Sequence, residues 1–230
     1  MKHAFVFLEV FDYEGGIQSY IKDILGAYAQ LSKTSPVQAE VFLLRDGPSE
    51  HALKGAPFHY RYFKSSSPMA ARVRLTAAFA AYIIRHRPDR VFCGHINLAP
   101  MVGQLCRLFQ IPYTVLTYGK EVWYELPNAE KKALATADSL WTISRYSRDL
   151  ACQANQVPSG KFEMLPCVVD GTVFTPGAPP ESLVERYQLQ EAKEMTTVAR
   201  LCACDLYKGV DVRCLLESMM ALPTQCKMAG

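Results

Sequence analysis

No pair of cysteines in this 230-residue chain has the C-x-x-C spacing. The eight thiols fall at Cys93, Cys106, Cys152, Cys167, Cys202, Cys204, Cys214 and Cys226, and no histidine lies among the last four. Zinc sites favour paired ligands about two to four residues apart. No metal site is therefore expected, and the thiols read as reduced and mostly buried in a cytosolic protein. Long apolar runs are missing too. The longest, around Leu75–Ile84, is far short of the ~20 residues that span a bilayer. The opening MKHAFVFLEV lacks an h-region followed by a small-residue cleavage site, so it reads as a first strand and not a signal peptide. The expected location is the cytoplasm. A strong charge of either sign is absent. A formal +3 is too small for a nucleic-acid footprint and leaves room for an anionic substrate. The G-x-G-x-x-G fingerprint is also absent, which disfavours a nicotinamide-dependent Rossmann enzyme.

What is present is alternation. Half of the residues are hydrophobic and a fifth are charged, an ordinary globular balance. Short apolar runs at Ala4–Val10, Val41–Leu44, Phe58–Phe63, Arg90–Cys93, Pro112–Thr117, Leu140–Ile143 and Phe162–Leu165 read as strands. Between them, Ile17–Leu31, Ala70–Arg87, Ala99–Phe109 and Ser144–Asn155 carry helical spacing. Pro88 ends the second of these and Ser144 caps the last. The pattern predicts an α/β fold, a Rossmann-like doubly wound parallel sheet, with ligands beyond the carboxyl ends of the strands. The loops of interest are then Phe11–Gly16, Gly94–Asn97, Tyr118–Trp123 and Ser144–Arg145.

Composition shifts at the Pro/Gly-rich stretch Phe174–Pro180. The expected organisation is one domain over 1–172, a linker and short helix over 173–193, and the incomplete start of a second Rossmann-like domain over 194–230. Met195–Leu201 reads as the first strand of that second domain.

Each motif has a bland reading beside the functional one. Gly15-Gly16 lets a backbone approach a ligand at a helix start, or it merely makes a tight turn needing positive φ. Tyr118, Lys120, Glu121 and Trp123 could bind a sugar through polar groups and an aromatic face, or form a surface loop anchored by Trp123. Arg200 and Lys208 could clamp a diphosphate, or be solvated charges. The helix bearing Arg72, Arg74, Arg85 and Arg87 has its charges at both ends. It reads first as a packed helix and second as a weak peripheral membrane contact.

Taken in order, five segments resemble the family 4 glycosyltransferases of the GT-B fold. They are Glu14-Gly15-Gly16, Thr117–Trp123, Ala137–Arg148, Leu165–Pro176, and Val198–Leu201 with Tyr207-Lys208-Gly209. The resemblance implies two facing Rossmann-like domains, the first for the acceptor and the second for the nucleotide sugar. It implies glycosyl transfer from a nucleotide-diphosphate sugar to the hydroxyl of a carbohydrate or lipid-linked acceptor. Retention of configuration, no obligatory metal and no cofactor beyond the co-substrate come with it.

Residue by residue, the resemblance places Tyr118 and Glu121 in catalysis. Gly15, Gly16, Arg200 and Lys208 would hold the donor phosphates, and His95, Lys120, Ser144 and Arg145 would stand on the acceptor side. Cys167-Val-Val-Asp170 stands where many members have Asn-Gly-Val-Asp, and Tyr118 where many have His. The family's acidic motif, two glutamates well downstream of the Lys-Gly pair, would fall beyond Gly230. The chain is therefore expected to be inactive alone, as a truncated enzyme with its work at the inner face of the membrane. The competing expectation is a fragment or acceptor-binding domain without turnover.

Overall fold

A computed structural model describes residues 1–53, 55 and 57–187. The chain divides into two compact units, Met1–Val168 and Val169–Gly230. In the first unit, seven strands form one sheet: β1 (Lys2–Phe7), β2 (Gln38–Leu43), β3 (Phe58–Tyr62), β4 (Arg90–Cys93), β5 (Tyr113–Thr117), β6 (Ser139–Thr142) and β7 (Phe162–Met164). Every pairing is parallel, in the order β3-β2-β1-β4-β5-β6-β7. This is the α/β Rossmann-like sheet that the alternation predicts.

Side chains in a strand alternate between faces, and here both faces are covered. Phe5 and Phe7 join Val41, Leu43, Phe92 and Leu116 beneath α1 (Gly16–Ser32), which contributes Tyr20, Ile21 and Leu25. Ala4 and Val6 point the other way, with Phe42, Val91, Val115 and Leu140. That face is covered by α2 (Pro68–His86), α3 (Ala99–Leu108), α4 (Asn128–Thr136) and α5 (Arg145–Asn155). Phe5 stacks on Phe92 at 4.8 Å, and Phe92 lies 5.0 Å from Trp141. Fully burying an aromatic ring of this size contributes about 1.5–3 kcal/mol, so this row fastens β1, β4 and β6 together.

Local chemistry sets the helix ends. Ser67 caps α2 by accepting the Ala70 N–H at 3.3 Å, and Pro68 takes the first turn, where its missing donor costs nothing. At the other end Arg87 turns left-handed, with φ 41°, just before Pro88. Ser144 caps α5 by accepting the Ser147 N–H at 3.1 Å, as its sequence position predicts.

Two elements differ from the sequence reading. The first strand begins earlier and stops at Phe7 instead of Val10, because the Val10 N–H bonds to a side chain, Asp46, and not to a neighbouring strand. Helix α4 was not foreseen. Only Ala133 and Leu134 of its nine residues are buried, too few to print a helical period.

The topology positions the site. From β1 the chain moves outward to β2 and β3, then returns to β4 on the other side of β1 and continues to β7. Connections therefore leave β1 and β4 in opposite directions and open a crevice at their carboxyl ends. In the second unit, Asp170 accepts the N–H and hydroxyl of Thr172 at 2.8 and 2.6 Å, and α6 (Glu181–Tyr187) follows Pro180. The expected strand Met195–Leu201 lies outside the described residues, as do Arg200 and Lys208.

Candidate functional site

The crevice between β1 and β4 begins with a buried carboxylate. Asp46, just past β2, is wholly buried. It accepts the backbone N–H groups of Val10, Phe11 and Asp12 at 2.7, 3.1 and 2.9 Å. Three successive N–H groups make an anion cradle, and Asp46 fills it from within the protein. Asp12 answers by accepting the Gly47 N–H at 3.2 Å and the Lys64 ammonium at 2.5 Å. The Lys64 hydrogen bond holds the Asp12 carboxyl below the usual carboxylate range. This clasp fixes the loop leading to Gly15 and Gly16. Sequence reasoning missed Asp46, because an Asp before Gly47-Pro48 looks like any turn residue.

Gly15 sits at the N-cap of α1 in extended backbone, φ −170° and ψ 171°, and makes no side-chain cap. Neither Gly15 nor Gly16 has positive φ, so the tight-turn reading in its positive-φ form does not apply. A Cβ on Gly16 would meet nothing within 4 Å. The helix start is thus open at Gly16 and has no side-chain cap from its N-cap residue, while Gln18 Oε1 and Tyr13 crowd Gly15, where an added Cβ would meet them at 2.8 and 3.3 Å. Glu14 is held back from it by Ser19 Oγ at 2.7 Å and Lys22 Nζ at 2.5 Å.

The second wall is built by β4 and β5. Gly94 leaves no room for a side chain, since an added Cβ would lie 1.9 Å from Cδ1 of Phe7. Its carbonyl accepts the Tyr118 hydroxyl at 2.7 Å. Tyr118 also meets Tyr20 of α1 edge-on, with ring centroids 5.8 Å apart. Burial, then the Glu121 charge, pushes the Tyr118 hydroxyl well above its ordinary value. The Glu121 carboxylate accepts the N–H groups of Tyr118 at 2.5 Å and Gly119 at 2.9 Å. Both residues that the resemblance places in catalysis thus bond to the protein's own backbone.

His95 opens a one-turn 3-10 helix, Ile96–Leu98, and its Nδ1 accepts the Asn97 N–H at 3.1 Å. The neutral ring then carries its proton on Nε2. Burial holds the imidazole below its ordinary value. Glu121 opposes that shift and Arg45 adds to it. Lys120, in the loop after β5, and Arg145, the first residue of α5, are exposed. Ser144 is engaged as the cap of α5, and Ser147 Oγ receives the Trp123 indole N–H at 3.2 Å. Asn155 of α5 donates to the Val122 and Tyr124 carbonyls and accepts the Leu126 N–H, which fixes the loop after β5.

The described candidates thus follow the carboxyl ends of β1, β4, β5 and β6, which are adjacent strands. Among the described residues no group of three His, Cys, Asp or Glu could hold a metal. A separate cleft of about 560 Å³ lies between α3 and α4, lined by Gln104, Arg107, Lys132 and Thr136 among others. None of the described candidate site residues lines it.

The fold matches that of solved GT-B glycosyltransferase structures at low identity. Anabaena HepE in complex with UDP-glucose aligns at TM-score 0.64 and 15% identity, over 97% of this chain and 58% of that one. Sucrose-phosphate synthase from Thermosynechococcus elongatus aligns at 0.61 and 16%, over 97% and 60%. The lipopolysaccharide outer core galactosyltransferase WaaB aligns at 0.52 and 16%, over 74% and 46%. The chain therefore spans roughly half to three-fifths of the length of these structures. No protein-family model matches the chain, and no curated protein does. Among the described residues no helix is long and apolar enough to cross a membrane.

Proposed function

We propose that the chain belongs to a family 4-like, retaining glycosyltransferase and carries its acceptor-side domain. The reaction moves a sugar from a nucleotide-diphosphate sugar to the hydroxyl of a carbohydrate or lipid-linked acceptor, with no cofactor beyond the co-substrate. The observation that supports this best is the open start of α1 at Gly16, at the switch point of the sheet. Uncapped N–H groups there favour a phosphate, and charge developing on a leaving diphosphate is stabilised by such pre-positioned donors.

In this reading Tyr118 and Glu121 are positioning residues that hold the two loops. His95 Nε2–H, Lys120 and Arg145 meet the sugar or acceptor. Arg200 and Lys208 complete the diphosphate clamp. The protein works in the cytoplasm, with a weak peripheral contact at the inner face of the membrane.

Acceptor binding without turnover is the second reading. The Tyr118 hydroxyl given to the Gly94 carbonyl and the Glu121 carboxylate given to the Tyr118 and Gly119 N–H groups favour it. Transfer assays on the whole enzyme with a panel of nucleotide sugars separate the two. Replacing Arg200 or Lys208 with Ala should raise the donor KM or lower turnover at least ~tenfold, the loss of one charge-assisted contact. Unchanged kinetics in both variants would remove the assignment.

A further inference from the structure

Helix α2 contains no acidic residue: its sequence is PMAARVRLTAAFAAYIIRH. One face, with Ala71, Leu75, Phe79, Tyr82 and Ile83, packs into the core. The opposite face should be polar in a helix that faces only water. It is not. Met69, Val73, Ala77, Ala80 and Ile84 follow one another at four-, four-, three- and four-residue steps, which is a single stripe. Met69 is 71% exposed, Val73 61% and Ile84 60%. The charges flank this stripe. Arg74 and Arg85 are about three turns apart and so share one side of the helix, with Arg72 on the other. The basic residues stand toward the two ends of the helix, as the sequence reading has them, and Leu75–Ile84 between them is uncharged. Among the described residues, none of the three pairs with a carboxylate.

We infer that the outward face of α2 is a docking surface for an anionic phospholipid membrane. This makes specific the weak membrane contact proposed above and rests on that reading. The chemistry singles out this occupant. An apolar stripe enters the boundary between headgroups and acyl chains, while flanking arginines meet lipid phosphates. A protein partner would have to supply carboxylates on both flanks of a wholly apolar contact. The helix, ~28 Å long at about 1.5 Å per residue, would lie in the plane of the surface.

The test is co-sedimentation of the full chain with vesicles. Equal mixtures of phosphatidylglycerol and phosphatidylcholine should bind it, and pure phosphatidylcholine should bind it at least ~tenfold less, since each flanking arginine adds about 1 kcal/mol at an anionic surface. Raising the salt should weaken binding. Val73→Glu with Ile84→Glu, both exposed and outside the core, should abolish binding. Arg74→Glu with Arg85→Glu should reduce it at least ~tenfold. Nucleotide-sugar binding should be unchanged in both double variants, which separates failure of this inference from failure of the glycosyl-transfer reading. Three results would overturn it: no vesicle binding, equal binding to both vesicle types, or a salt-insensitive dimer that the Val73→Glu, Ile84→Glu variant dissociates.

Discussion

The Tyr118 hydroxyl donates to the Gly94 carbonyl across 2.7 Å, joining the loop after β5 to the loop after β4. With the two loops of the second wall tied at this point, Tyr118 serves as a brace for the neighbouring His95. Tyr118→Phe keeps the ring and leaves a buried carbonyl without its donor. It should cost ~1–3 kcal/mol of stability in denaturant titration. Activity should fall but survive. Loss of all turnover at full stability would return Tyr118 to a direct chemical role.

Asp46 does for the β1 loop what Tyr118 does for β4 and β5. Asp46→Asn would aim an amide N–H2 at backbone donors, and Asp46→Ala would leave three of them bare. Each should destabilise by ~1–3 kcal/mol or more, with a rise in donor KM because the Gly15-Gly16 backbone moves with the loop. A variant as stable as the parent would contradict the clasp.

Gly94→Ala should be among the most damaging small substitutions in the chain. Its Cβ would fall inside the Phe7 ring, and that ring is buried on every side. Overpacking of this kind costs ~1–3 kcal/mol and sometimes more. Shortening the ring, as Phe7→Leu, should recover part of the loss in the double variant. If Gly94→Ala alone unfolds at the parental denaturant concentration, the close approach is not real.

Stability should fall on mild acidification. His3 and His95 are both held below the ordinary imidazole value, chiefly by burial. Asp89 works against the shift at His3, while the N-terminus and Arg90 add to it. Glu121 and Arg45 play the corresponding opposed parts at His95. The unfolded chain takes these protons near pH ~6.5, whereas the folded rings resist them. The unfolded state therefore binds more protons, and stability drops as the pH falls through and below ~6.5. Chemical denaturation at a series of pH values should show a shallower slope for His3→Gln with His95→Gln. An identical slope would mean that the burial explanation is wrong.

Much of the fold was legible because its signals are local. The apolar runs of β2, β4 and β5, the stop at Pro88 and the cap at Ser144 each reflect neighbours in sequence. The site was legible only as a set of loops. The sequence reading places Tyr118 in the loop after β5 and in catalysis, yet its hydroxyl faces inward, onto the carbonyl of Gly94, which follows another strand. Gly94 must be glycine because of Phe7, on a third strand. Asp46 is meaningful only beside N–H groups that arrive from a distant loop. None of these dependencies leaves a period or a spacing. Helix α4 escaped because it buries little. The outward stripe of α2 was present in the spacing, but it became visible only once Ala71, Leu75 and Phe79 had claimed the inner face.

The central claim is that a nucleotide-diphosphate sugar meets this domain at the start of α1, on the side of the loops of His95 and Lys120. Backbone-amide NMR of the chain during titration with UDP-glucose tests it directly, because chemical shifts register even weak binding and need no turnover. The account predicts saturable shifts at Gly16, Ile17 and Gln18, smaller ones at His95 and Lys120, and none at Gln104 or Lys132. Shifts confined to the cleft between α3 and α4, or no shifts at any concentration, would contradict it.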